Sequence, residues 1–422
     1  MVSREEVLEK HRHKHGKIEV IGNVEVETKE QLSVYYTPGV AQVCLAIKDN
    51  KESVYDYTLK GRTVAIVTDG TRILGLGKIG PEAGLPVMEG KALLLKKFGG
   101  VDAVPICLST TDEEKIIEIV KSLQPSFGAI NIEDIESPKC FRIVDRLKKE
   151  LEIPVFHDDR SGVGAVTLAA LSNALKLAGK KLKDAKIVIN GAGAGGTGIV
   201  EALAYAGARN IYVFDTSGIL YKGRAENMNY MKEKMAELTN QRMEKGSLRS
   251  VVKGADVLIG ISTKGAFDRD MIKSMADKPI VFALANPEPE IGYDEALEAG
   301  AFIVATGRSD KPNQVNNLSA FPGILRGILE ARAKAVDDHM ITMAARAIAK
   351  SVGKGLSREM IMPSLQDSKT IAKLASTVAA EIVEAAKESG LANSAVDSSE
   401  VKKRVRESLR RYRRIEKLSS KG

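Results

Sequence analysis

The run KIVINGAGAGGTGIVEALAYAGARNIYVFD, residues 186–215, constrains this chain more than any other stretch. A β-branched strand leads into Gly191, Gly193 and Gly196, spaced as GxGxxG, then a helix-forming segment, then a second apolar strand closing on Asp215. Glycines at those places serve a tight turn, a close approach of backbone to a pyrophosphate, and close packing of helix on strand. The helix start that follows offers free N–H groups and a dipole that favours phosphate. A carboxylate about 20 residues further on can accept from the adenosine ribose hydroxyls. The pattern predicts a doubly wound, largely parallel α/β sheet that binds a dinucleotide. Asp215 disfavours a 2′-phosphate, whereas Lys222 and Arg224 in YKGR favour one, so NAD and NADP both stay open.

A chain of 422 residues, 44% hydrophobic, exceeds what one core supports, so two domains are expected. Residues 61–158 have their own βαβ rhythm. TVAIVTDG, VDAVPICL, GAINIEDI and IPVFHDD read as strands, and VMEGKALLLKKFGG, TDEEKIIEIVKSLQPSF and PKCFRIVDRLKKE read as helices. The expected division is 1–160 for a first α/β domain, 161–390 for the Rossmann-type domain with C-terminal helices, and 391–422 for a basic tail.

That tail accounts for the net charge of +8: from Val401 to Gly422, ten Lys or Arg stand against two Glu, leaving the body balanced. Nucleic-acid binding by the body is therefore not expected. Val401, Val405, Leu409, Tyr412 and Ile415 fall at helical spacing, which predicts an amphipathic helix, either solvated or docked in an oligomer. The start of the chain has no signal-peptide core, and no later run is read as membrane-spanning. Cys44, Cys107 and Cys140 are too scattered for a disulfide framework and read as core thiols. Cytoplasmic localisation is expected. His11, His13 and His15 read as a solvated entry segment rather than a metal site.

Two acidic pairs, Glu133–Asp134 in NIEDI and Asp158–Asp159 in HDD, stand at the ends of predicted strands. Adjacent carboxylates resist burial unless a positive charge holds them. Oxygen ligands from neighbouring strand ends suit Mg2+ or Mn2+. A metal beside a nicotinamide suggests oxidation of a hydroxy acid followed by loss of a carboxylate, which also needs a base, an acid and an anion clamp. Lys91, Tyr36 and Arg72 are the candidates for those three tasks in the first half of the chain.

At these residues the sequence resembles the malic enzymes of the compact prokaryotic type. The matching stretches are GKIEV, SVYYTPGVA, VTDGTRILGLGKIGPEAGLPVMEGKALLLKKFGGVDAVPI, INIEDIESPKCF, IPVFHDD, the glycine fingerprint, DTSGILYKGR, ANPEPEI and VNNLSAFPG, in consistent order over residues 10–390. The resemblance implies oxidative decarboxylation of L-malate to pyruvate and CO2, with NAD or NADP and Mg2+ or Mn2+. It implies Glu133, Asp134 and Asp159 as metal ligands, Lys91 as base at the C2 hydroxyl, and Tyr36 as acid at C3. Arg72 would clamp a malate carboxylate, and Asn286 and Asn317 would touch nicotinamide and substrate. A lowered pKa for Lys91, tuned by a nearby cation and partial burial, is expected.

The chain departs from the family pattern after Asp159, where HDDQ and GTA give way to Arg160, Ser161, Gly162, Val163 and Gly164. Arg160 is expected either to weaken the metal by repulsion or to reach a substrate carboxylate or cofactor phosphate. Alternatives to the leading reading are direct malate-to-lactate conversion and a cofactor-binding regulator with impaired catalysis. A homo-oligomer, most simply a two-fold dimer, is the expected assembly.

Overall fold

The computed structural model describes residues 3–14 and 16–419, and His15 lies outside them. The first sheet has four parallel strands, β1 (Thr63–Thr68), β2 (Asp102–Cys107), β3 (Ala129–Ile132) and β4 (Val155–His157), in the order β2-β1-β3-β4. β1 and β3 are buried along their whole length, as parallel strands covered on both faces must be. The crossovers are the helices Pro81–Leu94, Glu113–Leu123 and Lys139–Glu150. Glu113–Leu123 starts where Asp112 accepts from the Lys115 N–H and buries Ile116, Ile117 and Val120, the stripe its spacing predicts. The chain leaves β1 toward β2 and returns on the other side at β3. Loops after β1 and β3 therefore flank a switch point, the place where open α/β sheets bind ligands.

The second sheet runs β10-β9-β8-β5-β6-β7, with β5 (Lys186–Asn190), β6 (Asn210–Asp215), β7 (Gly218–Ile219), β8 (Val257–Gly260), β9 (Ile280–Ala283) and β10 (Ile303–Thr306). All neighbours are parallel except the two-residue edge strand β7. Its switch point lies between β5 and β8, where Asn190 Nδ2 donates to Ser262 Oγ at 2.9 Å.

The helix Val163–Ala178 joins the two units and is buried nearly all round. Residues 158–178 are long and apolar enough to cross a membrane by composition, contrary to the expectation that no such run exists, but this is a core helix. Its burial makes one continuous core of Val64 and Ile66 from β1 with Ile187 and Ile189 from β5. Gly164 permits that closeness, since a Cβ there would lie 2.4 Å from the Gly198 carbonyl oxygen.

Helices Phe321–Glu330, Asp338–Ser351 and Ser368–Glu388 pack behind, and the tail forms Ser398–Ser419. Neither a solvated nor an oligomer-docked tail is needed to explain its pattern: Val401, Val405 and Leu409 are buried within the chain itself. Each contributes roughly 1.5–3 kcal/mol by leaving water. Arg326 Nη1 donates to Ser408 Oγ at 3.3 Å, and Lys97 pairs with Glu416 at 2.9 Å. The basic residues line the outer face because the apolar ones are taken inward. Of the three cysteines only Cys140 is a core thiol; Cys107 is half-buried and Cys44 is exposed.

Replacing Gly198 by Val tests the contact between the units, because a Cβ at Gly198 would lie 1.8 Å from the Arg160 carbonyl oxygen. Overpacking of this kind costs about 1–3 kcal/mol. The urea midpoint should fall accordingly, and an unchanged midpoint would show that the two segments separate freely.

Candidate active site between the two units

The loops after β1, β3 and β4 converge. Lys139 Nζ donates to Asp69 Oδ2 at 2.6 Å, while Asp69 Oδ1 accepts from Thr71 Oγ1 at 2.6 Å. Thr71 Oγ1 in turn accepts from the Glu136 N–H at 3.0 Å. This buried staple aligns the loop after β1 with the loop after β3, so that the Arg72 N–H donates to the Asp134 carbonyl at 3.1 Å. The Arg72 guanidinium stays exposed beside Asp134, whose carboxyl it pulls down weakly. Asp69 and Lys139 are absent from the sequence expectations; their partnership spans 70 positions and only the fold joins them.

Glu133, Asp134 and Asp159 each present an oxygen, and these oxygens all lie within 4.8 Å of one another. The Asp134 N–H donates to Asp159 Oδ2 at 2.8 Å, and Asn131 Nδ2 donates to Glu133 Oε2 at 2.8 Å. Asp134 Oδ2 is buried with no hydrogen-bond partner among the described residues. Lys91, on the Pro81–Leu94 helix, lies over the Phe321 ring and donates to Glu133 Oε1 and, at 2.6 Å, to Asp158 Oδ2. Asn317 Nδ2 also reaches Asp158 Oδ2, at 3.1 Å. Gly162 leaves the room Asp158 needs, since a Cβ there would lie 1.9 Å from Asp158 Oδ1.

Four carboxylates thus face one buried ammonium. Burial, reinforced by Asp159 and Asp158, pushes the Glu133 carboxyl well up despite Lys91. Burial, then Asp159, raises Asp134 to about 7. Burial works to lower Lys91, but Asp158, Glu133 and Asp159 overcome it and the lysine is held above its ordinary value. The expected downward tuning is therefore corrected: the neighbours of Lys91 are anions. An orphaned oxygen, an all-oxygen donor set and an excess of negative charge together fit a hard divalent cation.

Arg160 is also corrected. Its guanidinium bonds to Glu201 and Asp145 and to none of Glu133, Asp134 and Asp159. Nε donates to Glu201 Oε2 at 2.7 Å, Nη2 donates to Glu201 Oε1, and Nη1 reaches Asp145 Oδ1 at 3.4 Å. Val163 likewise faces the nucleotide helix, 3.4 Å from where a Cβ on Gly195 would be.

In the second unit the glycine loop has the predicted form. Gly191 has φ +130, and a Cβ on Gly196 would lie 1.9 Å from the Gly191 carbonyl oxygen. Gly193 has nothing among the described residues within 4 Å of its Cβ position, so its backbone is open to a ligand, as close approach of a pyrophosphate requires. Asp215, at the end of β6, accepts from Arg224 Nη1 at 2.9 Å and Lys232 Nζ at 2.7 Å. Burial opposes its ionisation, but these two cations hold it below the usual carboxylate range.

Glu290, another residue the sequence expectations lack, is fully buried and accepts from the Ser262 N–H at 2.7 Å and the Ala285 N–H at 3.1 Å. It ties together the loops after β8 and β9. Asn286 follows on the second of these, and the Asn286 carbonyl oxygen lies 3.2 Å from the Cβ position of Gly75, so the two units touch here. Tyr36 is not part of the cluster: it is 67% exposed and its hydroxyl has no partner among the described residues.

A dinucleotide-type glycine loop opening a helix that packs on the turn carrying Asp158 and Asp159, beside a lysine-bridged carboxylate cluster, fits a nicotinamide-dependent, metal-assisted oxidoreductase of the α/β class. Comparison with known proteins narrows this. The sequence model of the malic enzyme N-terminal domain matches residues 15–148, and that of the malic enzyme NAD binding domain matches residues 161–387. The bifunctional malic/malolactic enzyme of Bacillus subtilis is 51% identical over 407 residues, covering 96% of this chain and 98% of that protein. The NAD-dependent malic enzyme of Geobacillus stearothermophilus is 50% identical over 90% of this chain and 78% of its own length. The solved malic enzyme of Pyrococcus horikoshii superposes with a TM-score of 0.92 at 44% identity, covering 97% of each chain. The NAD-dependent malic enzyme of Thermotoga maritima gives 0.85 at 49% identity, over 90% of this chain and 99% of that one. The chain belongs to the malic enzymes and is a decarboxylating malate dehydrogenase that uses a nicotinamide dinucleotide and a divalent metal.

One group in this region sets a pH dependence of folding. His157 is fully buried, and burial, then Arg160, lowers it to about 3. It is neutral in the fold but protonates in the unfolded chain below about 6.5, so its contribution to stability is present above 6.5 and lost as pH falls toward 3. The loss should reach roughly 4–5 kcal/mol at the acid end. Urea titrations of the wild type and His157→Gln between about pH 8 and 5 should diverge in slope, and parallel curves would refute the assignment.

Proposed function

We propose that residues 1–160 hold malate and metal, residues 161–390 hold the dinucleotide, and the reaction runs where the two switch points meet. The observation that carries this is Lys91 held between Glu133 and Asp158 against a compact carboxylate cluster. Glu133, Asp134 and Asp159 would hold Mg2+ or Mn2+, which when bound supplies Lewis acidity at the malate C2 oxygen while the nicotinamide accepts hydride. Lys91 takes the C2 hydroxyl proton. Neutralising the surrounding carboxylates removes the pull that keeps this lysine protonated, which brings it toward the range of a working base. Tyr36 delivers the proton to C3 of the enolpyruvate.

Arg72 presents its planar fork to a malate carboxylate, and its exposure at the cleft supports this. Asn317 steadies Asp158 and faces substrate; Asn286 lies where the two units touch and contacts nicotinamide and substrate. Gly191, Gly193 and Gly196 receive the pyrophosphate and Asp215 the ribose. With Arg224 and Lys232 offsetting Asp215, that position discriminates little against NADP. Three cysteines without a disulfide are consistent with cytoplasmic localisation.

With L-malate and Mn2+, reduced NAD or NADP should appear in step with pyruvate. Lys91→Ala should lower kcat by about 100-fold or more, the scale of a lost general base. Lactate without free reduced cofactor would establish malate-to-lactate conversion instead, and an active Lys91→Ala variant would remove the lysine from its role.

A two-fold dimer fits the N-terminal segment. No residue from 16 to 59 is buried, and Val20, Val34, Tyr35 and Tyr36 are 98%, 60%, 52% and 67% exposed. A second copy would cover this apolar arm and bring Tyr36 to the other subunit's Lys91. Inactive Tyr36→Phe and Lys91→Ala chains, unfolded and refolded together in equal amounts, should then regain about a quarter of wild-type activity, because half the dimers carry one intact site. No recovery in mixed dimers would place both residues on one subunit.

A further inference from the structure

Arg160 immediately follows the cluster residue Asp159, yet it serves the other unit. The turn Asp158–Gly162 carries Asp158 and Asp159 on one side. On its other side the Arg160 side chain, 11% exposed, forks onto both oxygens of Glu201. Glu201 belongs to Ala194–Tyr205, the helix whose start is the glycine loop. The same guanidinium reaches Asp145 at 3.4 Å and lies 5.8 Å from the centroid of Phe141, both on the Lys139–Glu150 helix.

The backbone takes part as well. A Cβ on Gly198 would lie 1.8 Å from the Arg160 carbonyl oxygen, so helix and turn are in direct contact with no side chain between them. A shift of the nucleotide helix along its axis therefore pushes on the turn that aims Asp158 and Asp159. A bidentate arginine–carboxylate pair resists such sliding better than a single contact, because both bonds must distort together.

We propose that the Arg160–Glu201 pair is a positioning device that couples dinucleotide binding to divalent-metal binding, so that each ligand tightens the other. The proposal rests on the assignment of Glu133, Asp134 and Asp159 to the metal. Arg160 touches neither ligand; it acts by holding the metal-bearing turn in register with the nucleotide helix. Coupling of this kind is reciprocal, so the factor by which dinucleotide tightens metal equals the factor by which metal tightens dinucleotide.

The test is isothermal titration of the full-length protein with Mn2+, in the absence and presence of saturating NAD or NADP, and the converse titration. In the wild type, dinucleotide should tighten Mn2+ by about fivefold or more, the lower range of ordinary coupling. In Arg160→Gln the factor should fall to about twofold or less, and Arg160→Lys, which keeps the charge but not the fork, should lie between. Glu201→Gln reads the same pair from the other side and serves where Arg160→Gln does not fold. A purely structural defect would weaken each ligand taken alone and leave the ratio unchanged.

Absence of coupling in the wild type, or full coupling in both Arg160→Gln and Glu201→Gln, overturns the proposal. Asp159→Asn is the control for the underlying assignment: if it leaves Mn2+ affinity unchanged, the metal site itself is misplaced, a result distinct from loss of coupling with the site intact.

Discussion

The arrangement of this molecule follows from one electrostatic imbalance. Glu133, Asp134, Asp158 and Asp159 are gathered at the ends of β3 and β4, and one buried lysine, Lys91, answers them. Burying carboxylates without compensation is costly, and here it shows in raised carboxyls at Glu133 and Asp134 and in a proton held firmly on Lys91. Under the proposed assignment, a divalent cation held by Glu133, Asp134 and Asp159 would offset the imbalance and weaken the pull that keeps Lys91 protonated, so that metal binding and the readiness of the base would be two sides of one interaction.

Two switch points make that interaction useful. The loops after β1 and β3 carry Arg72 and the cluster, the loop after β5 carries the glycines, and the buried helix Val163–Ala178 fixes one relative to the other. Backbone contact at Gly164 and Gly198 sets the spacing between the units. Several buried charged groups outside the cluster tie loops and units together. Lys139 with Asp69 joins the first two loops, Glu290 ties the loops after β8 and β9, and Arg160 with Glu201 bridges the units. Each is held by hydrogen bonds, and removing one partner would leave a buried charge uncompensated.

The glycine fingerprint, the strand positions and the acidic pairs were legible in the sequence as local patterns with a local physical reason, whereas Lys91 stood out only through the family resemblance. Periodicity of two or 3.6 reports burial, and a glycine reports a place where a Cβ does not fit. Arg160 was legible only as an oddity. Its neighbour Asp159 belongs to the cluster, but its partner Glu201 lies 41 positions away. The direction of a side chain leaving a tight turn is set by what packs against that turn.

By itself, then, the sequence determined two α/β units, a dinucleotide loop and paired carboxylates at strand ends, since short-range spacing carries those properties, and the matched stretches over residues 10–390 carried the family resemblance. Tertiary structure decided what the charges do. It turned Arg160 away from the cluster, surrounded Lys91 with anions rather than cations, paired Asp215 with Arg224 and Lys232, and left Tyr36 exposed on the N-terminal segment, outside the cluster. The reason is that electrostatic energy depends on distance and burial in three dimensions, and pairs such as Lys139 and Asp69 meet only after the intervening chain has folded.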